Sequence, residues 1–344
     1  MADLKPLLGK LASGAVLGED EARDAFDIMM SGDATPSQAG AFLMGLRVRG
    51  ETVDEITGAA KAMRAKAVSI AAPAGTIDTC GTGGDATGTY NVSTAAALVV
   101  AACGVPVAKH GNRAMSSKSG SADVLTALGV NIDTDMSAVE AAISDVGIGF
   151  LMAPRHHGAM RHVAGTRIEL GTRTIFNILG PLSNPAGAKR QLIGVFDEKW
   201  LRPIAEVLGN LGSERVWVVH GSDGMDELTT TGPSTVCELK DGKVSTFEVT
   251  PEDAGLERAT LDALKGGEPS ENADAIRALL NGDASAYRDI VVLNAGAALV
   301  VADQAPDLRA GAARAAKALD DGDVRVVLDR LVKITNDDAG DAGS

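Results

Sequence analysis

The sequence predicts an α/β protein: a small N-terminal helical domain, then a large α/β domain whose central, mostly parallel sheet is flanked by helices. Three observations carry this expectation. Residues up to about 70 place apolar side chains at helical spacing, with no strand pattern. From Thr76 onward short strand-like runs alternate with helical ones, the order that lays helices on the faces of a sheet. At the start of that region Thr76-Ile-Asp78 reads as a strand, the segment holding Gly81, Gly83, Gly84 and Gly88 as a loop, Ala95–Cys103 as a helix and Val105–Ala108 as a second strand. That is one βαβ crossover.

The elements follow in order. Leu4, Leu7, Leu8 and Leu11 mark a first helix, and Glu19–Met30 a second, closed by Gly32. Thr35-Pro-Ser-Gln38 and Thr52-Val-Asp-Glu55 are capping boxes that open a third helix, ending at Gly50, and a fourth, running to about Val68. Ala71-Ala-Pro-Ala-Gly75 reads as a linker, so the helical domain spans 1–70 and the α/β domain 71–335. Beyond the crossover, strands are expected at Val130–Ile132, Ile148–Met152, Leu192–Phe196, Arg215–His220, Val236–Leu239 and Val244–Val249. Helices are expected at Ala122–Leu128, Ser137–Asp145, Glu198–Leu211, Asn272–Leu280, Tyr287–Val301, Pro306–Leu319 and Val324–Ile334. The acidic, glycine-rich segment 336–344 reads as a disordered tail.

Composition narrows the function. The 344 residues are 45% apolar, enough for a sizeable core, but only 3% aromatic, which disfavours base stacking as a main activity. A net charge of −14 argues against a general binder of nucleic acid or anionic membrane, so an anionic ligand needs a local basic pocket or a metal. Cys80, Cys103 and Cys237 cannot all pair and lack metal-ligand spacing, which reads as reduced thiols in a cytoplasmic protein. No run is long and apolar enough to span a membrane, and the N-terminus has no signal-peptide pattern. Four of the five histidines lie between His110 and His162, but adjacent His156 and His157 do not build a tetrahedral zinc site.

Three stretches carry chemistry. The first runs from Asp78 to Ser121: a loop nearly free of side chains, a helix N-terminus near Asn91–Thr94, and Lys109, Arg113 and Lys118 after the second strand. Bare loop N–H groups and a helix N-terminus both suit a phosphate ester. The second is Pro154–Pro185, where Arg167 offers a planar fork for a carboxylate, or equally a salt bridge to Glu169 or a nearby acid. In the third, Asp223, Asp226 and Glu227 sit in a loop after a strand, where adjacent carboxylates suit magnesium shared with a phosphorylated ligand.

Gly81-Thr-Gly-Gly-Asp85, Asn91-Val-Ser-Thr94, Lys109-His-Gly-Asn-Arg113 and Ser116-Ser-Lys-Ser-Gly120 resemble the phosphoribosyl pyrophosphate (PRPP) site of the anthranilate phosphoribosyltransferase family. The resemblance implies PRPP contacts at Gly81, Gly84, Asp85, Thr89, Asn91, Val92, Ser93 and Thr94. It implies further ones at Lys109, His110, Gly111, Asn112, Arg113, Ala114, Met115, Ser116, Ser117 and Ser121. Arg167-Ile-Glu-Leu-Gly-Thr-Arg-Thr174 matches the family's anthranilate motif, so Arg167, Asn112 and Gly81 are the implied anthranilate contacts. His157 and Pro181 match positions lining the acceptor tunnel. Asp226, Glu227 and Ser93 match the Mg2+ ligands. The resemblance also implies a homodimer formed through the helical domain, with part of 160–185 packing on that domain, and names no obligatory catalytic base. A pyrimidine nucleoside phosphorylase of the same fold would carry a Lys-His-Ser-Thr-Gly-Gly-type run, where this chain has Gly-Thr-Gly-Gly-Asp and Lys-His-Gly-Asn-Arg. A nucleic-acid-binding relative without catalysis fits neither the net charge of −14 nor the Asp226-Glu227 pair.

Overall fold

The computed structural model describes residues 3–114 and 118–337. Four helices come first: α1 (Lys5–Ala12), α2 (Glu19–Ser31), α3 (Pro36–Arg49) and α4 (Val53–Ala65). Thr35 and Thr52 close capping boxes with Gln38 and Glu55. Glu55 does more than cap. It is fully buried, accepts from the Leu17 and Thr52 N–H groups at 2.9 Å each, and pairs with Arg49. One capping residue thereby ties the starts of α2 and α4 to the end of α3. The helix α4 stops at Ala65, three residues short of the expected Val68.

The remaining elements are β1 (Ile77–Gly81), α5 (Val92–Ala102), β2 (Val107–Gly111), α6 (Ser121–Ala127), α7 (Met136–Ala141), β3 (Ile148–Met152), α8 (Ala153–His156), α9 (Arg161–Leu170) and α10 (Phe176–Leu179). Then come β4 (Arg190–Gly194), α11 (Leu201–Asn210), β5 (Arg215–Gly221), β6 (Ser234–Lys240), β7 (Lys243–Val249), α12 (Pro269–Leu280), α13 (Ala286–Val301), α14 (Leu308–Asp320) and α15 (Asp323–Asp337). Val130–Ile132, expected as a strand, joins no sheet; it is the return from α6 to α7, with Val130 and Ile132 buried as anchors. Helix α15 runs through Asp337, two residues into the expected tail, because Asn336 caps backward onto the Gly129 and Val332 carbonyls. Residues 338–344 lie outside the described residues.

The seven strands form one sheet in the order β3-β2-β1-β4-β5-β6-β7. The first five are parallel, and β6 and β7 are antiparallel. The chain leaves β1 toward β2 and β3 on one side, then returns to place β4 and β5 on the other. The switch point therefore lies between β1 and β4, where ligands collect at the carboxyl ends of the strands.

Two large cores flank the sheet, and a smaller one gathers Ile70, Val139 and Ile143 against Ala108 of β2 and Leu151 of β3. On one face α5, α13, α14 and α15 bury Leu98, Val100, Ile290, Leu293 and Leu331. Helices α13 and α14 cross backbone to backbone at Gly296 and Gly311, since a Cβ at Gly296 would stand 2.6 Å from the Ala312 nitrogen. The other core unites helices α1–α4 with α9, α10, α11 and the opposite face of β4 and β5, including Phe26, Phe42, Phe176, Ile193 and Val218. Val163, Ile175 and Phe176 share this cluster with side chains of α1–α4.

Gly58 marks the crossing of α2 and α4: a Cβ there would overlap the Glu19 carbonyl and stand 2.7 Å from the Arg23 nitrogen, both backbone atoms. Gly58→Ala is expected to cost about 1–3 kcal/mol in urea unfolding. Gly9→Ala on α1, which has open space around it, should instead gain up to about 1 kcal/mol. Equal effects of the two substitutions would show that helix propensity, not backbone approach, governs Gly58.

Candidate active site

The site forms where β1, β4 and β5 end. Gly81 and Gly194 are register partners at the last rung of β1 and β4. The β5–β6 loop drops Asp226 onto both: a Cβ on Gly194 would coincide with the Asp226 carbonyl, and one on Gly81 would meet its carboxylate. Asp226 Oδ2 accepts from the Gly83 N–H at 2.7 Å, fixing the glycine loop against the acid. That loop turns through left-handed residues, with φ of 69° at Gly83, 75° at Gly84, 61° at Ala86 and 66° at Gly88. Arg173 donates to the Gly84 carbonyl while its guanidinium lies 4.0 Å from the Phe196 ring centroid. On the far side of the loop, Lys265 Nζ donates to the Thr87 carbonyl at 2.6 Å, and Thr89 bridges to Lys265. Asp85 folds inward and takes the Thr87 hydroxyl at 2.6 Å.

Glu227 reaches the start of α5, where its Oε1 accepts from the Ser93 N–H at 3.1 Å. Asn91 immediately precedes that helix, makes no side-chain bond to its first turn, and is held from three sides. Its side chain meets Ser119 at 3.1 Å and Asn272 at 2.9 Å, and its carbonyl takes the Tyr287 hydroxyl at 3.2 Å. Val92 and Thr94 are buried on the first turn of α5.

Lys109 differs from its expected place. It lies inside β2 rather than after it, is 2% exposed, and points back beneath the glycine loop. Its Nζ donates to the Thr79 carbonyl at 2.6 Å and approaches Ser93 Oγ at 3.4 Å. Burial pulls its pKa down, while Asp78, Cys80 and Glu227 oppose that fall. Asp78, also fully buried, is raised by the same desolvation and is satisfied by the His110 N–H at 3.1 Å and Asn184 Nδ2 at 2.8 Å.

Loss of water raises both loop acids, Asp226 to about 7 and Glu227 to about 8. Neighbouring carboxylates add to the shift: Asp85 acts on Asp226, and Asp226 on Glu227. Such a pair is short of positive charge, and Lys109 is the cation that counters Glu227. Asp223 takes no part in this, because its carboxylate ties the loop together through Thr229 and Thr231 at 2.6 and 2.8 Å.

Other expected residues are placed less centrally. Arg113 is bound to Asp123 at 3.2 Å, and Asp123 also takes the Ala114 and Gly120 N–H groups. The carboxylate stays below its usual range because those donors outweigh its burial. Asn112 is exposed; its carbonyl takes the Ser121 hydroxyl at 3.3 Å. Gly111 lies under Ser121 and Phe150 with no room for a side chain. Met115, Ser116 and Ser117 lie outside the described residues. Arg167 is half-buried on α9 with its guanidinium 5.3 Å from the Phe176 ring, and makes no ion pair among the described residues, including Glu169. Among the described residues no cluster of three or more His, Cys, Asp or Glu could by itself hold a metal ion.

His110 and His157 stack edge to face, with ring centroids 5.1 Å apart. His110 Nδ1 lies 3.2 Å from the Gly180 carbonyl, so it carries the proton, and Nε2 is a buried acceptor with no partner among the described residues. Burial, more than the neighbouring imidazoles, drives His110 to about 3; burial also takes His157 to about 4.

Sequence reasoning passed over Gly194, Arg173 as a loop clamp, and Asn272 and Tyr287 as holders of Asn91. Gly194 had no local signal, since a lone glycine ending a strand is commonplace. Asn272 and Tyr287 lie almost two hundred residues from Asn91 in the chain.

Gly194→Ala should displace Asp226 and abolish binding of a magnesium–diphosphate ligand while circular dichroism stays unchanged. The imidazole pair sets a second expectation. An unfolded chain protonates histidine near 6.5, and the folded chain holds these two neutral to about 3 and 4. Below 6.5 the unfolded state binds more protons, so this contribution to stability is lost as pH falls from 6.5 toward 4. The slope is up to about 1.4 kcal/mol per pH unit for each group. Urea unfolding of His157→Gln should show a shallower loss over that window than the parent chain.

Comparison with known proteins fits the geometry. The model described as "Glycosyl transferase family, helical bundle domain" matches residues 5–67, and "Glycosyl transferase family, a/b domain" matches 74–325. The anthranilate phosphoribosyltransferase of Azospirillum brasilense is 66% identical over 336 residues, 98% of this chain and 94% of that one. That of Rhodospirillum rubrum is 63% identical, covering 96% of each chain. Among solved structures, the anthranilate phosphoribosyltransferase from Thermus thermophilus superposes with a TM-score of 0.91 at 46% identity, over 96% of this chain and 99% of that one. The Saccharomyces cerevisiae structure in complex with PRPP and Mg superposes at 0.88 with 28% identity, over 97% and 98%. By sequence along almost its whole length and by fold, the chain belongs to the anthranilate phosphoribosyltransferase family.

Proposed function

We infer that the chain transfers the phosphoribosyl group of PRPP to the amine of anthranilate, giving N-(5-phosphoribosyl)anthranilate and pyrophosphate, a step of tryptophan biosynthesis. One observation carries this reading. The Asp226-Glu227 pair sits at the sheet's switch point, hydrogen-bonded to both the glycine loop and the first turn of α5. Relatives of the same fold are described in complex with PRPP and Mg, and with 4-fluoroanthranilate.

The donor set fits magnesium. Two carboxylates raised by desolvation and by neighbouring acids, Asp85 on Asp226 and Asp226 on Glu227, call for a cation, and magnesium commonly takes one or two carboxylates with substrate phosphates and water. Asp226, Glu227 and the Ser93 hydroxyl would hold it. When bound it neutralises charge on the departing pyrophosphate.

The chain's own groups do the rest. As the ribose C1–O bond breaks, negative charge grows on the leaving oxygen and positive character on the ring. Lys109, desolvated beneath Ser93, supplies fixed positive charge on the leaving-group side, an arrangement worth several kcal/mol in a closed site. The glycine loop lets main chain approach the phosphates, and Gly84, Asp85, Thr89, Asn91, Val92 and Thr94 frame the donor. Lys109 through Ala114 and Ser121 complete that frame, and Met115, Ser116 and Ser117 are further contacts that the family motif implies. Asp85 favours a positive ribose ring.

Arg167 and Asn112 orient the carboxylate and ring of anthranilate beside Gly81. Its neutral aromatic amine attacks without a strong base, so positioning supplies much of the rate. His110 suits that role: an imidazole held neutral to about 3 is a poor base, but its buried Nε2, without a partner among the described residues, can accept an N–H.

The same reading extends to assembly and place. Val48 and Ile168 are 81% and 77% exposed on α3 and α9, helices that pack together, which supports a homodimer through the helical domain. Cys80, Cys103 and Cys237 are buried and unpaired, which supports a cytoplasmic site. Among the described residues no helix is long and apolar enough to cross a membrane.

Loss of anthranilate fluorescence on adding PRPP and magnesium tests the reaction, and an unchanged signal would overturn it. Arg167→Ala should raise KM for anthranilate about tenfold or more with little change for PRPP, as expected for a lost carboxylate contact. Asp226→Asn with Glu227→Gln should do the reverse, weakening use of the magnesium–PRPP complex and sparing anthranilate binding.

A further inference from the structure

We propose that Asn294 is a positioning residue for the donor site, fixing the acid pair to the first turn of α5 through the rigid helix α13. The proposal rests on the reading above, in which Asp226 and Glu227 face the cation of the magnesium–PRPP complex.

Asn294 is the anomaly of its helix. It is fully buried in a run that is otherwise apolar from Ile290 to Val301. A carboxamide at such a place is costly unless every donor and acceptor is met. Here all are met by backbone. Nδ2 donates to the Leu228 carbonyl at 2.8 Å and to the Ile290 carbonyl at 2.9 Å, and Oδ1 accepts from the Leu228 N–H at 3.0 Å. Asn294 therefore grips both polar groups of one residue, and that residue directly follows Glu227.

Leu228 lies in the loop between β5 and β6, where no strand partner meets its backbone. Without Asn294 its N–H and carbonyl have no fixed partner, and the preceding acids lose their anchor. Their required placement is narrow, because Asp226 must lay its carbonyl on Gly194 and its carboxylate on Gly81 while Glu227 reaches the Ser93 N–H.

Seven residues earlier, on the same face of α13, Tyr287 donates to the Asn91 carbonyl at 3.2 Å. One helix thus holds both sides of the donor site, Asn91 at the α5 start and Leu228 beside the acids. The two sides meet at the Ser93–Glu227 hydrogen bond. Helix α13 sets the spacing between them.

The test compares the parent chain with Asn294→Leu, which keeps volume but removes the grip, and Asn294→Gln, which keeps the amide but displaces it by one methylene. Thermal melting and circular dichroism establish which variants fold. Manganese, monitored by electron paramagnetic resonance in the presence of PRPP, is the probe of the donor site. The expected result is a manganese–PRPP dissociation constant weakened about tenfold or more, the usual scale for removing a group that orients metal ligands. The KM for anthranilate should stay unchanged, and excess magnesium should partly restore turnover. A folded variant that binds manganese–PRPP like the parent chain would overturn the proposal, as would failure of both variants to fold, which would assign the amide to folding alone. No manganese–PRPP binding by the parent chain would instead overturn the functional reading.

Discussion

One aspartate resting on two bare residues organises this protein. At the end of β1 and β4, Gly81 and Gly194 present no side chain, and Asp226 lies in the space that two Cβ atoms would fill, with its carbonyl at Gly194 and its carboxylate at Gly81. Sheet topology supplies the place, since the connections leaving β1 and β4 run to opposite sides there. The glycines supply the depth. Only because the acid sits that low does its carboxylate meet the Gly83 N–H, and only then does Glu227 reach α5. The glycine loop, the helix start and the acid pair are one construction held at one point.

That construction concentrates charge out of water. Lys109, Asp78, Asp226 and Glu227 are all shifted first by desolvation, toward their neutral forms. Asp78 and Lys109 offset each other beneath the floor, and Asp78 is further satisfied by Asn184 and the His110 N–H. The two acids above are not offset to the same degree. A site built this way favours a ligand that brings its own cation and carries anionic oxygens, and an electrostatic field made of fixed groups needs no rearrangement as charge develops.

The helical domain is tied to this floor through the return segment before β4. Arg64 on α4 donates to the Leu182 carbonyl at 2.7 Å, and Gln191 in β4 donates to the Pro181 carbonyl at 2.9 Å. Asn184 bonds at once to Asp78 and to the Ala108 carbonyl, joining that segment to β1 and β2. Arg173, from the same stretch of chain as Arg167, clamps the glycine loop. Acceptor-side and donor-side elements are thus mechanically continuous, although they come from different layers.

Much was legible in the chain itself. Capping boxes at Thr35 and Thr52 announced their helices because capping is a local contest for the first N–H groups. The crossover from β1 to β2 followed from strand, glycine and helix signals within a few residues of each other, and the motifs named the family. The short Val130–Ile132 run misled because two β-branched residues on either side of a polar one, Asn131, satisfy a strand pattern equally well as buried anchors of a turn. Only tertiary structure decided that Lys109 is a buried floor rather than an exposed donor, that Arg113 is bound to Asp123, and that Gly194, Asn184, Tyr287 and Asn294 belong to the site's support. Local pattern reports what a residue does to its own backbone. These residues act on backbone brought to them across the sheet from as far as 196 positions away, and nothing local records that distance.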